Sequence, residues 1–288
     1  MRPKKSLSQN FLINDRAARR IVESLALNED DAVLEIGSGK GALTKHLLEK
    51  AKKVLAVEID KSLCSYLQEK FGHNGNLKIV NKDVLKIDFK ELIQPESLCK
   101  IVGNLPYQIT SPVVSLLLEN RKHIPLCVLM VQKEVAVRIS SVPGSKDWSP
   151  LSIAVQLYSN VKILFRLKPA SFFPQPKVDS SVIRIVFLPE PKVSVPDEKL
   201  FFKVVRSAFG QRRKTMLNSL SSNLDLPKKE IDLILNKMNI DPQRRAETLS
   251  LNEFANLSYA MEEILKPDPL TPPLHKTERR TGGEVKNK

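Results

Sequence analysis

The chain has 288 residues, 42% of them hydrophobic and 27% charged, which suits a globular protein with one large and one smaller domain. Lysine and arginine outnumber aspartate and glutamate by 46 to 32, and the resulting charge of +14 favours a polyanionic partner. The longest apolar run, Ile124–Val131, is far shorter than the ~20 residues of a membrane span, and the basic, polar N-terminus does not look like a signal peptide. We therefore expect a cytoplasmic protein without membrane contact.

The cysteines and histidines form no recognisable framework. Cys64, Cys99 and Cys127 are an odd number of widely spaced thiols, each within an apolar segment. Such thiols are typical of a reduced core rather than of a disulfide or zinc site. The four histidines are scattered, without the spacing of metal ligands. We expect neither disulfides nor a metal site.

From Ala32 to about Leu188, short β-branched runs alternate with helical stretches such as Leu43–Ala51 and Lys61–Phe71. This alternation predicts an α/β fold in which helices cover both faces of a mostly parallel sheet. Only Pro169–Ser180 separates the last two strands, which leaves no room for a helix and predicts an antiparallel strand that closes the sheet. The predicted strands are Ala32–Ile36, Val54–Ile59, Leu77–Val80, Lys100–Val102, Leu126–Val131, Val161–Leu167 and Val182–Leu188.

Prolines interrupt this pattern at about residues 189–197, where we place a domain boundary. Residues 1–190 then form the α/β domain, and residues 197–265 form a small all-α domain. From residue 266 onward there is almost no apolar content, so we expect residues 266–288 to be a disordered tail. The predicted helices of the second domain are Leu200–Phe209, Lys214–Leu220, Lys228–Met238 and Leu251–Leu265.

A glycine-rich segment, Glu35-Ile-Gly-Ser-Gly-Lys-Gly41, follows the first predicted strand and opens the first helix. Glycines there allow a tight turn and let a ligand approach the backbone closely. Glu58 ends the second strand, 21 residues after Gly37, the separation at which an acidic side chain binds ribose hydroxyls. The spacing predicts an adenosine-containing cofactor, which is either S-adenosylmethionine or the dinucleotide of a dehydrogenase.

Two further acids stand at the ends of predicted strands. Asp60 immediately precedes a helix, and we interpret it as the N-cap of that helix rather than as the ribose ligand. Asp83, at the end of the third strand, is either an acceptor for an adenine amine or a turn-forming aspartate. Residue type and position do not separate these two roles.

The segment Gly103-Asn-Leu-Pro-Tyr107 follows the fourth strand, at the sheet edge where ligands bind in open α/β folds. An aromatic amine is a poor nucleophile because its lone pair is delocalised into the ring. Hydrogen bonds to the Asn104 amide oxygen and the Leu105 carbonyl would favour a more tetrahedral nitrogen. Pro106 stiffens the loop and Tyr107 offers a flat face for a purine; a proline turn with a core tyrosine is the alternative.

Six motifs, taken in order, resemble those of the ribosomal RNA adenine dimethyltransferase family, from about residue 4 to residue 262. The ordered set is specific, although no single motif is. The resemblance implies a Rossmann-like class I methyltransferase fold and S-adenosylmethionine as cofactor. The motifs are Lys5-Ser-Leu-Ser-Gln-Asn-Phe-Leu12, Glu35-Ile-Gly-Ser-Gly-Lys-Gly41, Val57-Glu-Ile-Asp60, Asn81-Lys-Asp83, Asn104-Leu-Pro-Tyr107 and Phe172-Phe-Pro-Gln-Pro-Lys-Val-Asp-Ser180.

The resemblance also implies roles for individual residues. Asn10 and Leu12 would close over the cofactor, and a flipped base would lie between Tyr107 and Phe172, with Phe173 as the alternative aromatic. The implied cofactor-binding residues are Gln9, Asn10, Leu12, Gly37, Gly39, Glu58, Asp83 and Asn104, and the implied catalytic residues are Asn104, Leu105, Pro106, Tyr107 and Phe172.

Base flipping costs a few kcal/mol, so affinity for RNA must come from charge. One basic cluster lies in the first twenty residues, and a second, Gln211-Arg-Arg-Lys-Thr215, is predicted to open a helix of the small domain. Two clusters in a chain of this charge favour phosphate contacts over solvated faces. The predicted RNA-binding residues of the second cluster are Arg212, Arg213 and Lys214, and the cations of the first are Arg2, Lys4, Lys5, Arg16, Arg19 and Arg20.

Within the family, the chain resembles the small-subunit branch rather than the sister group that modifies one large-subunit adenosine. The resemblance rests on Ser207–Asn218, Leu105 and Arg245–Leu249. It implies dimethylation of two adjacent adenosines near the 3′ end of 16S small-subunit RNA, by a monomer that acts on that RNA or on a pre-assembled small subunit. The alternative is an assembly factor in which methylation is dispensable, but the intact Asn104–Tyr107 loop and Glu58 favour catalysis.

Overall fold

The structure is a computed structural model that describes residues 3–4, 7–92, 98–224 and 226–265. The tail expected at residues 266–288, and the cations Arg2 and Lys5, lie outside this part of the chain. The chain divides into two compact units. The first takes in residues up to Ser194 together with Ala246–Leu251, and the second takes in Val195–Arg245 and the chain from Asn252 onward.

The first unit alternates strands and helices over most of its length. Its strands are β1 (Phe11–Leu12), β2 (Ala32–Ile36), β3 (Lys53–Val57), β4 (Leu77–Val80), β5 (Cys99–Asn104), β6 (Leu126–Gln132), β7 (Ser159–Leu167), β8 (Phe172–Phe173) and β9 (Ser180–Phe187). Its helices are α1 (Asp15–Glu23), α2 (Thr44–Leu48), α3 (Lys61–Phe71), α4 (Phe89–Leu92), α5 (Thr110–Glu119), α6 (Lys133–Ser140) and α7 (Pro150–Tyr158).

Seven strands form one sheet in the order β4-β3-β2-β5-β6-β9-β7. The first five are parallel, whereas β9 is antiparallel to both β6 and β7. This arrangement confirms the predicted α/β fold and the antiparallel strand that closes the sheet. In the register, Ile36 at the end of β2 lies opposite Val57 of β3 and Gly103 of β5. The loops that follow these three strands therefore emerge side by side, at the edge where α/β proteins bind ligands.

A separate two-stranded ribbon was not predicted. In it, β1 pairs antiparallel with β8, with Phe11 opposite Phe173 and Leu12 opposite Phe172. The apolar core cluster that also holds Ile21 takes up Leu12 and Phe172, so successive residues of the ribbon face opposite sides. Strands of two residues leave no periodicity in the sequence, since two positions are too few to show alternation.

Several elements differ from the sequence-based boundaries. α3 spans the predicted Lys61–Phe71, and the Asp60 side chain caps it by accepting from the Ser62 N–H. The helix predicted at Leu43–Ala51 is shorter, Thr44–Leu48. α1, α5, α6 and α7 lie in segments for which no helix was predicted, although the Ser149 capping box and Pro150 at the start of α7 are local signals for one.

The segment Ala246–Leu251 belongs to the first unit, whereas the sequence pattern had placed it in the helical domain. The reason is a set of long-range hydrogen bonds. The buried Trp148 indole donates to the Leu249 carbonyl at 2.9 Å, and the Gly144 N–H donates to the Glu247 carbonyl at 2.7 Å. A short segment held by backbone acceptors carries no signal of its own in composition.

The second unit contains the helices α8 (Glu198–Phe209), α9 (Met216–Asn223), α10 (Lys228–Lys237) and most of α11 (Leu251–Leu265). These confirm a small helical region after the α/β unit. α9 begins at Met216 with Thr215 as its N-cap, so the basic cluster lies in the turn before the helix and not within it. Phe254 is buried and stacks on Phe209 at 6.0 Å between ring centroids. In the described part of the chain, no helix combines the length and apolar character that a bilayer span needs.

Candidate active site

A cavity opens at the carboxyl ends of β2, β3 and β5, within the first unit. Two walls enclose it. The strand-end wall consists of Gly37, Gly39, Glu58 and Asp83 with the loop after β5, and the N-terminal wall consists of residues 7–11. Residues that line the cavity include Gln9, Asn10, Phe11, Gly37, Gly39, Glu58, Ile59, Lys82, Asp83, Leu85, Asn104, Leu105, Pro106 and Tyr107.

The glycine turn after β2 requires a backbone that other residues rarely adopt. Gly37 has φ 72° and Gly39 has φ 56°, both in the left-handed region. The Gly37 N–H donates to the Val57 carbonyl at 2.9 Å, which ties the turn to β3. A Cβ atom on Gly39 would also come within 3.1 Å of the Phe11 ring. The turn therefore presents backbone rather than side chains to the cavity.

Glu58 is a buried carboxylate between the glycine turn and α3. It accepts from the Gly39 N–H through Oε2 and from the Asp60 N–H through Oε1, each at 2.9 Å. Burial raises its pKa, while these two N–H donors act in the opposite direction. A carboxylate fixed by two backbone donors is preorganised to accept further hydrogen bonds from hydroxyl groups.

A second buried acid, Glu35, lies beneath the glycine turn and was not singled out by the sequence. Burial raises its pKa to about 8, and the nearby Glu58 carboxylate acts in the same direction. The Thr44 hydroxyl donates to Glu35 Oε2 at 2.6 Å. Below that pH Glu35 is therefore neutral, and it joins the end of β2 to the first residue of α2.

Asn104 ends β5 with its side-chain orientation fixed. Its Nδ2 donates to the Asn10 carbonyl at 2.9 Å, which leaves the amide oxygen as the acceptor on the other side. The Leu105 N–H donates to the Met130 carbonyl at 3.1 Å, so β6 holds the loop from below. Pro106 follows on the cavity lining. The loop thus directs acceptors rather than donors toward its ligand.

Tyr107 begins a 3-10 turn that precedes α5. Its hydroxyl lies 2.9 Å from the Ser180 Oγ, at the start of β9. Burial raises the pKa of the phenol, with a smaller opposing effect of Ser180. The half-buried ring lines the cavity, so it is an anchored aromatic face rather than a core tyrosine.

The N-terminal wall is held by an acid that the sequence analysis treated only as a helix cap. Asp60 Oδ1 accepts from Lys4 Nζ at 2.8 Å, and Oδ2 accepts from Gln9 Nε2 at 3.2 Å. The Lys4 N–H in turn donates to the Gln9 side-chain oxygen. Although burial raises the pKa of Asp60, the Lys4, Ser62 and Gln9 hydrogen bonds hold it well below its usual value. One carboxylate thus caps α3 and fixes the wall opposite.

Phe11, also absent from the predicted site, lines the cavity as part of the N-terminal wall. The Lys40 ammonium lies 5.0 Å from the centroid of its ring. Lys40 is the residue between Gly39 and Gly41 to which the motif assigned no role. The contacts of Phe11 with Gly39 and with Lys40 leave no local signal in the sequence, because these residues are far from Phe11 in the chain.

Two predicted positions require correction. Phe172 is only 2% exposed and packs in the apolar core, so its ring offers no open face to a base in this conformation. Phe173 is 56% exposed and lies opposite Phe11 in the ribbon. Leu12 is likewise buried in the core and does not line the cavity, because alternation along β1 turns Phe11 toward the cavity instead.

The remaining predicted residues divide into two groups. Asp83 lines the cavity, and it also caps a 3-10 turn by accepting from the Leu85 N–H at 3.0 Å, so both of its open roles are compatible with its position. The second basic cluster is part of the other unit, and its side chains are exposed. These residues are Arg212, Arg213 and Lys214.

The cavity suits a sulfonium-bearing adenosine. Its charged lining residues are Glu58, Asp83 and Lys82, so acids outnumber bases where a cationic donor would lie. A glycine turn that allows close approach of a ligand to the backbone, next to a buried carboxylate, is the arrangement of a nucleoside-binding edge. Among the described residues, no three His, Cys, Asp or Glu side chains come together as metal ligands. The three cysteines are free and buried.

Comparison with known proteins identifies the family. The profile of the family described as "Ribosomal RNA adenine dimethylase" matches residues 1–257. The chain belongs to this family. A relative from Clostridium botulinum, named ribosomal RNA small subunit methyltransferase A, is 46% identical over 91% of this chain and 94% of its own. A protein of the same name from Alkaliphilus oremlandii is 47% identical over 91% of this chain and 92% of its own.

Solved structures agree with this assignment. A dimethyladenosine transferase from Plasmodium falciparum has a TM-score of 0.73 and 28% identity, over 89% of this chain and 98% of its own. The 23S rRNA methyltransferase ErmE has a TM-score of 0.69 and 26% identity, over 88% and 100%. S-adenosylmethionine is therefore the cofactor, and the dehydrogenase interpretation of the glycine turn is wrong.

Proposed function

We propose that this chain transfers methyl groups from S-adenosylmethionine to the N6 amines of two adjacent adenosines near the 3′ end of small-subunit ribosomal RNA. The names of its relatives support the small subunit as substrate and the adenine as target. The observation that carries the proposal is the Asn104 side chain, whose Nδ2 is engaged by Asn10 so that its oxygen is left to accept from an amine. The chain acts as a monomer in the cytoplasm, where small subunits are assembled.

The donor supplies an electrophilic methyl group on a sulfonium centre. The chain's task is to make the adenine amine nucleophilic and to hold it in line. Hydrogen bonds from the two N–H groups to Asn104 Oδ1 and to the Leu105 carbonyl favour a tetrahedral nitrogen and disperse the charge that develops during transfer. No strong base is needed, because the proton on a methylated ammonium is already acidic. Glu58 would hold the ribose hydroxyls of the donor, and Asp83 would accept from its adenine amine.

Tyr107 supplies one face of the base pocket, since its hydroxyl bond to Ser180 fixes the ring plane. A stacked base is stabilised by about 1–3 kcal/mol, which offsets part of the cost of flipping. The second face needs an aromatic on the β8 segment. The exposure of Phe173 supports that residue, whereas Phe172 would have to leave the core.

Affinity then comes from phosphate contacts outside the cavity. Arg212, Arg213 and Lys214 are exposed together in a turn of the second unit, which supports this helical unit as an RNA-binding domain. Such contacts position the substrate without reading its sequence. A pre-assembled small subunit, rather than RNA alone, presents the two adenosines in a fixed place.

The decisive experiment incubates unmethylated small subunits with labelled donor and maps the modified nucleotides. The wild-type chain should modify two adjacent adenosines, and Asn104→Ala should lower kcat by about 10²–10³-fold because one positioned acceptor is lost. RNA affinity should change less than twofold. Asn236→Ala, on the exposed surface of α10, is the matched control and should retain full activity. Full activity of Asn104→Ala would refute the mechanism.

The stacking aromatic can be identified by comparing four variants. Tyr107→Ala should weaken kcat/KM by about 5- to 150-fold, the equivalent of one stacked base, while Tyr107→Phe should lose much less. Phe173→Leu should lower kcat/KM without altering stability, and Phe172→Leu should leave kcat/KM unchanged. A larger activity loss in Phe172→Leu than in Phe173→Leu would show that Phe172 leaves the core to stack on the base.

A further inference from the structure

One face of the first unit carries four cations that have no ion-pair partner among the described residues. They come from α1 and from the two antiparallel strands at the edge of the sheet. The face is named the α1–β7 face here and is built by Arg16, Arg20, Lys162 and Arg184.

The helix contributes two of these cations on one side. Arg16 and Arg20 are four residues apart, so both lie on the same side of α1, about 6 Å apart along its axis. The Arg20 guanidinium lies 3.9 Å from the centroid of the Phe165 ring, a residue of β7. Arg19 differs from both, because it pairs with Asp15 at 3.7 Å. The ring contact braces Arg20 over the sheet without neutralising it.

The strands contribute the other two cations in an unfavourable arrangement. Lys162 of β7 lies directly opposite Arg184 of β9, so the two side chains share a face. Like charges in directly opposed positions destabilise a sheet. Arg184 Nε is also buried without a hydrogen-bond partner. Phe165 lies opposite Val182, which packs in the same core cluster as α1. Because Arg184 is two residues after Val182 on β9, Arg184 and Lys162 face the side of the sheet on which α1 packs.

Some cations elsewhere in the first unit do form ion pairs. Lys100 pairs with Asp31 at 2.8 Å and Lys168 pairs with Asp179 at 3.1 Å. Asp15, the acid at the start of α1, is shared by Arg19, Lys45 and His46 and faces α2. The α1–β7 face therefore combines a like-charge pair with an unsatisfied donor. An external anion would relieve the like-charge pair.

We propose that the α1–β7 face binds backbone phosphates of the RNA substrate, next to the duplex from which the target adenosine is flipped. The proposal rests on the proposed function, since it names a second phosphate-binding surface for the same substrate. α1 begins four residues after Phe11, and β7 ends five residues before Phe172, so the start of α1 and the end of β7 are close in the chain to the ribbon beside the cavity. The face binds RNA without reading bases, because it offers point charges and no directed acceptors.

The test compares two charge-matched double variants by RNA binding at several salt concentrations. Arg16→Gln with Lys162→Gln removes two cations of the face, and Lys53→Gln with Lys78→Gln removes two exposed lysines near the opposite sheet edge. The probe is a synthetic hairpin RNA of the small-subunit 3′ end. The first variant should bind the hairpin at least tenfold more weakly and reduce the slope of log K against log salt by about 1.5–2. The second should change neither.

Separate readouts distinguish this proposal from the proposed function. If the wild-type chain methylates small subunits but Arg16→Gln with Lys162→Gln keeps the full salt slope, the α1–β7 face is overturned and the function stands. If the wild-type chain methylates nothing, the function fails whatever the slope. Lys162→Gln alone should raise Tm by about 1–3 °C in the absence of RNA, since a like-charge pair is removed. A lower Tm would show that Lys162 is structural and overturn the anion-site argument.

Discussion

The two walls of the cavity are built in different ways. The strand-end wall is fixed by backbone: adjacent strands end in register, the glycine turn bonds to β3, and Glu58 is held by two N–H groups. The N-terminal wall has only a two-residue strand of its own, and side chains from distant segments hold it. The first wall is therefore preformed by the sheet, whereas the second depends on a few polar contacts that can open.

This difference predicts how each wall responds to substitution. Changes in the strand-end wall should act on intrinsic affinity for the cofactor, because its groups line the cavity in which we propose that the cofactor binds. Changes in the N-terminal wall should act on how completely the site closes. Three experiments separate the two behaviours.

The largest effect is expected in the strand-end wall. Glu58→Gln keeps the shape of the side chain but removes the charge that two backbone donors share and that we propose binds the ribose hydroxyls. A hydrogen bond to a charged group contributes about 1.5–3 kcal/mol, so affinity for S-adenosylhomocysteine should fall by about 10- to 150-fold in calorimetry. Glu69→Gln, on the exposed side of α3, is the control. An unchanged dissociation constant for Glu58→Gln would remove Glu58 from the binding site.

A smaller effect is expected in the N-terminal wall. Asp60→Asn retains an N-cap acceptor for α3 but loses the charge that holds Lys4. Because Lys4 is partly exposed, the ion pair contributes at most about 1 kcal/mol, and KM for the cofactor should rise about three- to fivefold with kcat nearly unchanged. Lys4→Met should act in the same direction, and the double variant should add little more. A fall in Tm without a change in KM would mean that Asp60 only caps the helix.

The third experiment concerns the support of the glycine turn. The pKa of Glu35 is about 8 in the fold against 4.5 ordinarily, so the folded chain keeps a proton that the unfolded chain releases. Stability from this group is therefore full below pH 4.5 and is lost as pH rises toward 8. Glu35→Gln has no such proton to lose. The Tm of the variant minus the Tm of the wild type should therefore increase by several °C between pH 5 and pH 8. Parallel Tm profiles for the two proteins would contradict the buried neutral state.

The sequence predicts one wall better than the other for a physical reason. Glycines that need positive φ, and an acid at a fixed distance along the chain, are local requirements, so Gly37, Gly39 and Glu58 could be proposed from spacing alone. Asp60 and Phe11 act through partners that are distant in the chain, and Glu35 acts through burial, which only the fold creates. The choice between Phe172 and Phe173 was open for the same reason, since which ring faces the core depends on the pairing of β8 with β1.

The path of the chain through Ala246–Leu251 limits how this protein can be divided. Because that stretch completes the first unit by accepting from Trp148 and Gly144, a cut at residue 195 would not yield an intact α/β piece. It would remove the carbonyl acceptors of the buried Trp148 indole and of the Gly144 amide. Trp148 is the sole tryptophan, so its emission spectrum reports directly on whether the segment Ala246–Leu251 is bound in place. Shortened or circularly rearranged versions should be judged by that signal before their activity is compared.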